Sequence, residues 1–279
     1  TALQKEFGDK VTLAATTTDL KARASRADAI VLAVGEMPYS EGFGSITDLN
    51  LPVDQIELVK AAQATGKPVI LVLISGRPRI ITSVYPGCRA ALFAGLPGFE
   101  GAQAIAEIIS GKVNPSAKMS FNFPYAVNRL LPHNHKISEI LLAHEIENPI
   151  SLVPFGSGLS YTTFQYTDLA LSDSLISTDG TIKATVTVKN TGDREGKEAV
   201  LWFLHDEVAS ISRPVRDLKY YEKDLIKPGE SRTFTFTIDP AEHLAFPDRK
   251  GKRILEDGYY TLMVGDLKAR FKLHQAAAR

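Results

Sequence analysis

The sequence predicts an α/β sandwich with a mostly parallel sheet, followed by an all-β sandwich. Two observations carry the first half of that reading and one carries the second. Apolar runs without interruption, AIVLAV at 29–34, VILVLI at 69–74 and AALF at 90–93, suit strands covered on both faces. They alternate with amphipathic helical segments, and strand–helix alternation implies βαβ units with parallel strands. Beyond residue 150 the apolar period becomes two, with Asn, Gly and Asp turns between short runs, the mark of an antiparallel sandwich.

In chain order, Val11–Ala15 reads as a short strand and Thr18–Arg26 as a helix with Asp19 as its cap. Ala29–Val34 is the first buried strand. Asp54–Thr65 is an amphipathic helix with Ile56, Leu58 and Val59 inward, ended by Gly66. Val69–Ile74 and Ala90–Phe93 are the next two strands, and Glu100–Ile109 is a helix stopped by Gly111. The α/β domain is placed at 1–150 and a Gly/Ser/Thr-rich linker at 151–165, with a β-sandwich of about seven strands at 166–275. Its strands include Lys183–Lys189, Glu198–His205, Arg232–Ile238, Tyr259–Val264 and Ala269–Leu273. The cysteine pair of an antibody domain is missing, so the sandwich is fibronectin-III-like. The tail from His274 reads as frayed.

Composition narrows the function. Lys and Arg total 32, as do Asp and Glu, so the net charge is zero and the basic surplus of a nucleic-acid binder is missing. No stretch reaches the ~18 apolar residues of a membrane span. TALQKEFGDKVTL has no signal-peptide core, and the chain opens one helical turn before an apolar strand, as if inside a domain. The single cysteine, Cys88, reads as a buried structural thiol. His133 and His135 lack a third ligand at metal spacing, so no metal is expected. His144 and Glu145 read as surface residues. Gly95, Gly98 and Gly101 follow GxxGxxG, not the dinucleotide pattern, and Gly156 and Gly158 lie outside a strand–helix turn, so no cofactor is expected. Trp202 reads as sandwich core, Tyr220 and Tyr221 as residues packing against the α/β domain.

Catalytic groups of parallel sheets gather at the carboxyl ends of strands, which directs attention to the loops after Val34, Ile74 and Phe93. VGEMPYSEGFGSITDLNLP, 34–52, carries two carboxylates, Glu36 and Glu41, in a loop with three glycines. By composition such a residue is solvated and idle unless its surroundings equip it as a general acid. Arg77, just beyond the second strand, could meet this loop as an ion pair or touch a substrate. Asp48 could brace it by accepting backbone N–H groups.

The same loop resembles the acid/base loop of glycoside hydrolase family 3, in the branch of bacterial β-glucosidases and plant-type exo-glucanases. Four further stretches resemble that family in the same order: TGKPVILVLISGRPRII (65–81), AGLPGFEGAQAIAEIISGKVNPSAKMSFNFP (94–124), VPFGSGLSYTTF (153–164) and SRPVRDLKYYEKDLIKPGES (212–231). The resemblance implies Glu41 as general acid/base, with Glu36 as rival or supporting carboxylate; Arg77 and Asp48 stay supports on the reading of their positions alone. It implies a β-glucoside or oligosaccharide substrate, a retaining mechanism and an Asp nucleophile on an N-terminal (β/α)8 barrel. Nothing in these residues resembles that barrel, so the chain alone is expected to be inactive. Periplasmic or secreted location is implied by the family. The sequence departs from the pattern at Gly44-Ser45-Ile46, where many relatives carry Arg, at Ala117 and at Tyr220-Tyr221. A non-catalytic carbohydrate-binding or scaffolding module of the same descent is the alternative, and an unrelated α/β ligand-binding domain the third reading. The retained Glu41 argues against the second, the five ordered stretches against the third.

Overall fold

The computed structural model describes residues 1–129, 132–136, 138–139 and 151–274. His144, Glu145 and the tail after His274 lie outside the described residues. The chain divides into two compact units. The first comprises Thr1–Val113 with the described parts of 123–130 and 149–153; the second comprises Asn114–Asn122, the described part of 131–148 and the described residues from Pro154. Asn114–Asn122 thus groups with the β-rich unit, although it falls inside the stretch 1–150 read as α/β.

In the first unit, helices α1 (Ala2–Phe7) and α2 (Thr17–Ala24) precede strand β1 (Ile30–Gly35). Helix α3 (Val53–Gln63), strands β2 (Val69–Ile74) and β3 (Ala90–Gly95) and helix α4 (Gly101–Ile109) follow. The strands form a parallel sheet in the order β1-β2-β3, with Ile30 opposite Val69 and Ile70 opposite Ala90. Helix α2 packs on α3 and α1 on α4, the latter through Gln103 Nε2, which donates to Glu6 Oε1 at 2.7 Å. Leu71, Val59 and Ala62 are fully buried. Each large apolar side chain so buried contributes about 1.5–3 kcal/mol against the entropy of ordering. A short antiparallel pair, β4 (Phe123–Pro124) with β5 (Ser151–Val153), completes the unit.

Two local expectations are corrected here. Val11–Ala15 is not a strand and carries no regular structure. Apolar alternation alone supplies no ladder, and among the described residues no strand pairs with it. The cap of α2 is Thr16, whose Oγ1 accepts from Asp19 N at 3.1 Å. Asp19 in turn accepts from Ala15 N, the residue before the cap, at 3.1 Å. Cys88 is half-buried; its Sγ lies 3.4 Å from Val84 O, and burial raises its pKa.

The second unit is a sandwich of a three-stranded and a five-stranded sheet. Its strands are β6 (Phe164–Leu171), β7 (Leu175–Ser177), β8 (Ile182–Asn190), β9 (Gly196–Asp206), β10 (Asp217–Ile226) and β11 (Ser231–Ile238), then the small pair β12 (Phe246–Pro247) and β13 (Arg253–Ile254), and finally β14 (Gly258–Val264) and β15 (Leu267–His274). The orders are β11-β8-β6 and β10-β9-β14-β15-β7. Ile182, Ala184, Val186 and Val188 of β8 face Val200, Trp202 and Leu204 of β9 in one core, as the two-residue period requires. The eight strands of the two sheets exceed the seven expected because the short Leu175–Ser177 pairs in parallel with β15.

Trp202 is a core residue, 0% exposed. Tyr220 lies opposite it across the β9–β10 ladder and therefore shares its inward face. Its ring stacks on Phe236 at 5.3 Å, a partner inside the sandwich and not in the α/β domain. Tyr221 takes the opposite face and is exposed. His133 stacks on Phe155 at 4.3 Å, and His135 Nδ1 lies 3.2 Å from Pro132 O, both packing roles. Among the described residues no helix is long and apolar enough to cross a membrane.

Candidate functional site

The site is built on the carboxyl ends of β1 and β2. Gly35, the last residue of β1, approaches β2 so closely that a Cβ there would lie 1.8 Å from Ile74 O; only glycine fits. Gln55 of α3 locks this point from the other side. Gly35 N donates to its Oε1 at 2.8 Å and its Nε2 donates to Gly35 O at 3.0 Å. Glu36 N then donates to Ile74 O at 2.9 Å, so the chain leaves the sheet at a defined place.

Glu36 is the anion of a compact cluster. Its side chain is 10% exposed. Oε2 accepts from Ser75 Oγ at 2.6 Å. Oε1 lies 3.4 Å from Arg79 Nη1 and 3.1 Å from Arg77 Nε, the latter a charge contact without hydrogen-bond alignment. Two guanidinium groups thus share one carboxylate, which offsets the cost of holding the nearly buried Arg79 away from water.

The two arginines fix the loop at different points. Arg79 Nη2 donates to Asn50 O, and Ile80 N donates to Leu49 O at 2.8 Å, which anchors the returning limb. Asp48 closes that limb by accepting from Asn50 N at 2.9 Å and Asn50 Nδ2 at 2.8 Å. These bonds, the backbone one first, hold its carboxyl below the usual range. Arg77 reaches the middle of the loop, where its Nη2 donates to Gly44 O at 2.6 Å and its guanidinium lies 4.5 Å from the Tyr39 ring centroid. Tyr39 in turn packs against Gly44, and a Cβ on Gly76 would lie 2.7 Å from the Tyr39 hydroxyl and 3.1 Å from Leu96 Cδ1. The loops after all three strands therefore converge.

Glu41 sits at the tip, between Tyr39 and Gly44. It opens the short 3-10 turn Glu41–Gly44, is exposed, and has φ 48°, the left-handed region that non-glycine residues enter at a cost of about 1–2 kcal/mol. Among the described residues its carboxylate has no hydrogen-bond or ion-pair partner. Met37 and Phe43 of the same loop and Leu96 and Phe99 of the loop after β3 are exposed, Phe43 to 95%.

The structure thus brings Glu36, Arg77 and Glu41 into one loop assembly and uses Asp48 to close it. Arg79, Ser75, Tyr39 and Gln55 complete the assembly beyond the residues that stand out in the sequence. Arg79 carried a visible signal, a cation set between Pro78 and two isoleucines directly after a buried strand. The others are ordinary polar residues whose partners are far along the chain. Among the described residues no cluster of His, Cys, Asp and Glu forms a metal site.

Residues 1–161 match the glycosyl hydrolase family 3 C-terminal domain, and residues 198–268 match a fibronectin type III-like domain. The chain is 38% identical over 264 residues to the periplasmic beta-glucosidase of Salmonella typhimurium, covering 89% of this chain and 34% of that protein. It is 36% identical to a beta-xylosidase of Formosa agariphila over 87% of this chain and 34% of the relative. A β-glucosidase structure from Erythrobacter marinus superposes with TM-score 0.85 at 32% identity, over 92% of this chain and 36% of that one. The β-glucosidase of Listeria innocua in complex with glucose superposes with TM-score 0.84 at 30% identity, over 95% and 39%. The chain spans about a third of the length of the curated relatives it matches. By its sequence, its two domain types and its fold, this chain belongs to glycosyl hydrolase family 3, of which it is the C-terminal portion.

Proposed function

We propose that this chain supplies the general acid/base of a retaining exo-β-glycosidase, of β-glucosidase type, and that Glu41 is that group. The observation that carries the reading is an exposed, unpartnered carboxylate at the tip of a loop whose base is fixed by ion pairs and hydrogen bonds. Glu36 is a poorer choice because both its oxygens already face Ser75 and the two arginines. It belongs to the support of the loop, with Arg77 and Asp48.

In this mechanism the protonated Glu41 gives its proton to the glycosidic oxygen as the bond to the anomeric carbon breaks. An aspartate on a (β/α)8 domain outside these residues attacks that carbon and forms a glycosyl–enzyme ester. The Glu41 carboxylate then takes a proton from the water that hydrolyses the ester, which restores both groups. The two carboxyl groups must stand about 5–5.5 Å apart. Two carboxylates and water suffice, so the scheme uses no cofactor. Terminal β-D-glucosyl residues of oligosaccharides are the proposed substrates, with the periplasm or the extracellular space as the site of action; relatives named beta-glucosidases support the substrate class, and the one named periplasmic supports the first location.

The test is Glu41→Gln in the protein that carries the nucleophile domain. Glucosides with poor leaving groups are expected to slow by about 10²–10⁴-fold while activated aryl glucosides change little in kcat/KM, and azide should restore turnover of the latter. Equal slowing of both classes would refute the assignment. Substantial β-glucosidase activity of the isolated chain, lost in Glu41→Ala, would remove the need for the second domain.

A further inference from the structure

We infer that Arg77 is a positioning residue for the acid/base, a clasp that imposes the backbone conformation of Glu41. The inference rests on Glu41 being the proton donor. Arg77 makes three contacts with one loop, at residues 36, 39 and 44, which bracket Glu41 on both sides. Its Nε lies 3.1 Å from Glu36 Oε1, its guanidinium 4.5 Å from the centre of the Tyr39 ring, and its Nη2 2.6 Å from Gly44 O. Tyr39 and Gly44 are themselves in contact, so the chain from 39 to 44 is closed into a small ring with Glu41 at its apex.

A glutamate with φ 48° persists only where its surroundings over-determine the backbone. Within the turn the local bond is Ser45 N to Gly42 O at 3.1 Å, which fixes the residues after Glu41 and not Glu41 itself. The constraint on Glu41 from both flanks is the Tyr39–Arg77–Gly44 stack. Arg77 is in turn held from below. Glu36 shares its charge, and the Arg77 carbonyl lies 2.7 Å from Ser75 Oγ, whose single proton Glu36 and this carbonyl compete for, so the guanidinium projects from a stem held beside Ser75. Lysine has neither the planar face that stacks on Tyr39 nor a second N–H arm for Gly44, although it keeps the charge. The device therefore separates charge from position, and the two are testable apart.

The experiment measures kcat/KM for aryl and alkyl glucosides of graded leaving-group pKa, in the enzyme that carries the nucleophile domain. Wild type, Arg77→Lys, Arg77→Met, Tyr39→Leu and Glu41→Gln are compared, with thermal unfolding of each. If Arg77 aims the acid, Arg77→Lys and Tyr39→Leu behave as partial copies of Glu41→Gln. Their kcat/KM falls about 10²-fold on the poorest leaving groups, as expected for a misplacement of about 1 Å, and stays within about threefold for the most activated one. A residue that only supports the fold would lower every substrate alike and leave the slope against leaving-group pKa at its wild-type value. That result in Arg77→Lys and Tyr39→Leu, with a steep slope in Glu41→Gln, overturns the clasp and spares the acid assignment. A wild-type slope in Glu41→Gln overturns both. Should Arg77→Met fail to fold, the Lys and Tyr39 variants decide.

Discussion

A Cβ on Gly44 would lie 2.3 Å from Cδ2 of the Tyr39 ring, so the two residues meet with no room for even one more methyl group. That contact closes the loop around Glu41. Gly44→Ala has to push the ring off Gly44 or swing the turn. We expect hydrolysis of poor-leaving-group glucosides to drop by about tenfold or more, with the unfolding temperature changed by only a few degrees. Kinetics in the complete enzyme and a thermal melt check both parts. Unchanged kinetics would mean that the ring yields without moving Glu41.

Glu36→Ala removes the anion shared by Arg77 and Arg79. Two cations then face one another, one of them nearly buried, and breaking such a cluster is costly. The expected result is a melting temperature lower by about 5 °C. A melt indistinguishable from wild type would show that water or a rearranged Arg79 takes over the role of Glu36.

Asn190 is fully buried with its amide satisfied. Its Oδ1 accepts from Thr162 Oγ1 at 2.6 Å and Gly192 N at 3.1 Å, and its Nδ2 donates to Arg194 O at 2.7 Å and Ile226 O at 2.9 Å. Asn190→Ala orphans several of these groups at once. A loss of about 3 kcal/mol is expected, read from urea unfolding of the second unit by the fluorescence of Trp202. A loss below ~1 kcal/mol would contradict the network.

Alkaline pH should loosen the β-rich unit. Tyr166 donates to Glu198 Oε1 at 2.8 Å, and burial first, then the Glu198 charge, pushes its pKa far up. Tyr260 is raised too, mainly by burial and next by Asp206. The folded state holds these protons while the unfolded chain gives them up, so stability is complete below about pH 10 and falls as pH rises further. Tyr166 alone contributes a slope of up to about 1.4 kcal/mol per pH unit. Urea midpoints measured at rising alkaline pH should decline less steeply in Tyr166→Phe than in wild type, and equal slopes would rule out its part.

Much of this molecule is legible in the order of its residues. The runs at 29–34, 69–74 and 90–93 are β1, β2 and β3, and KATVTVK at 183–189 is the middle of β8, because a buried strand must be apolar on each covered face. The short β7 and the missing strand at 11–15 were not legible. Pairing depends on a neighbour elsewhere in the chain, and a local pattern carries no record of that neighbour.

The site divides in the same way. By itself the sequence determined the strand-end loop, its two carboxylates and the family resemblance that singles out Glu41, since these are matters of residue type and local spacing. Only the tertiary structure decided which carboxylate is spoken for. Glu36 meets Ser75, Arg77 and Arg79 because adjacent parallel strands end side by side, joining residues 39 to 43 positions apart. Ion pairs and stacking act over a few ångströms in space whatever the distance along the chain, and that is why the clasp on Glu41 appears only once the sheet has formed.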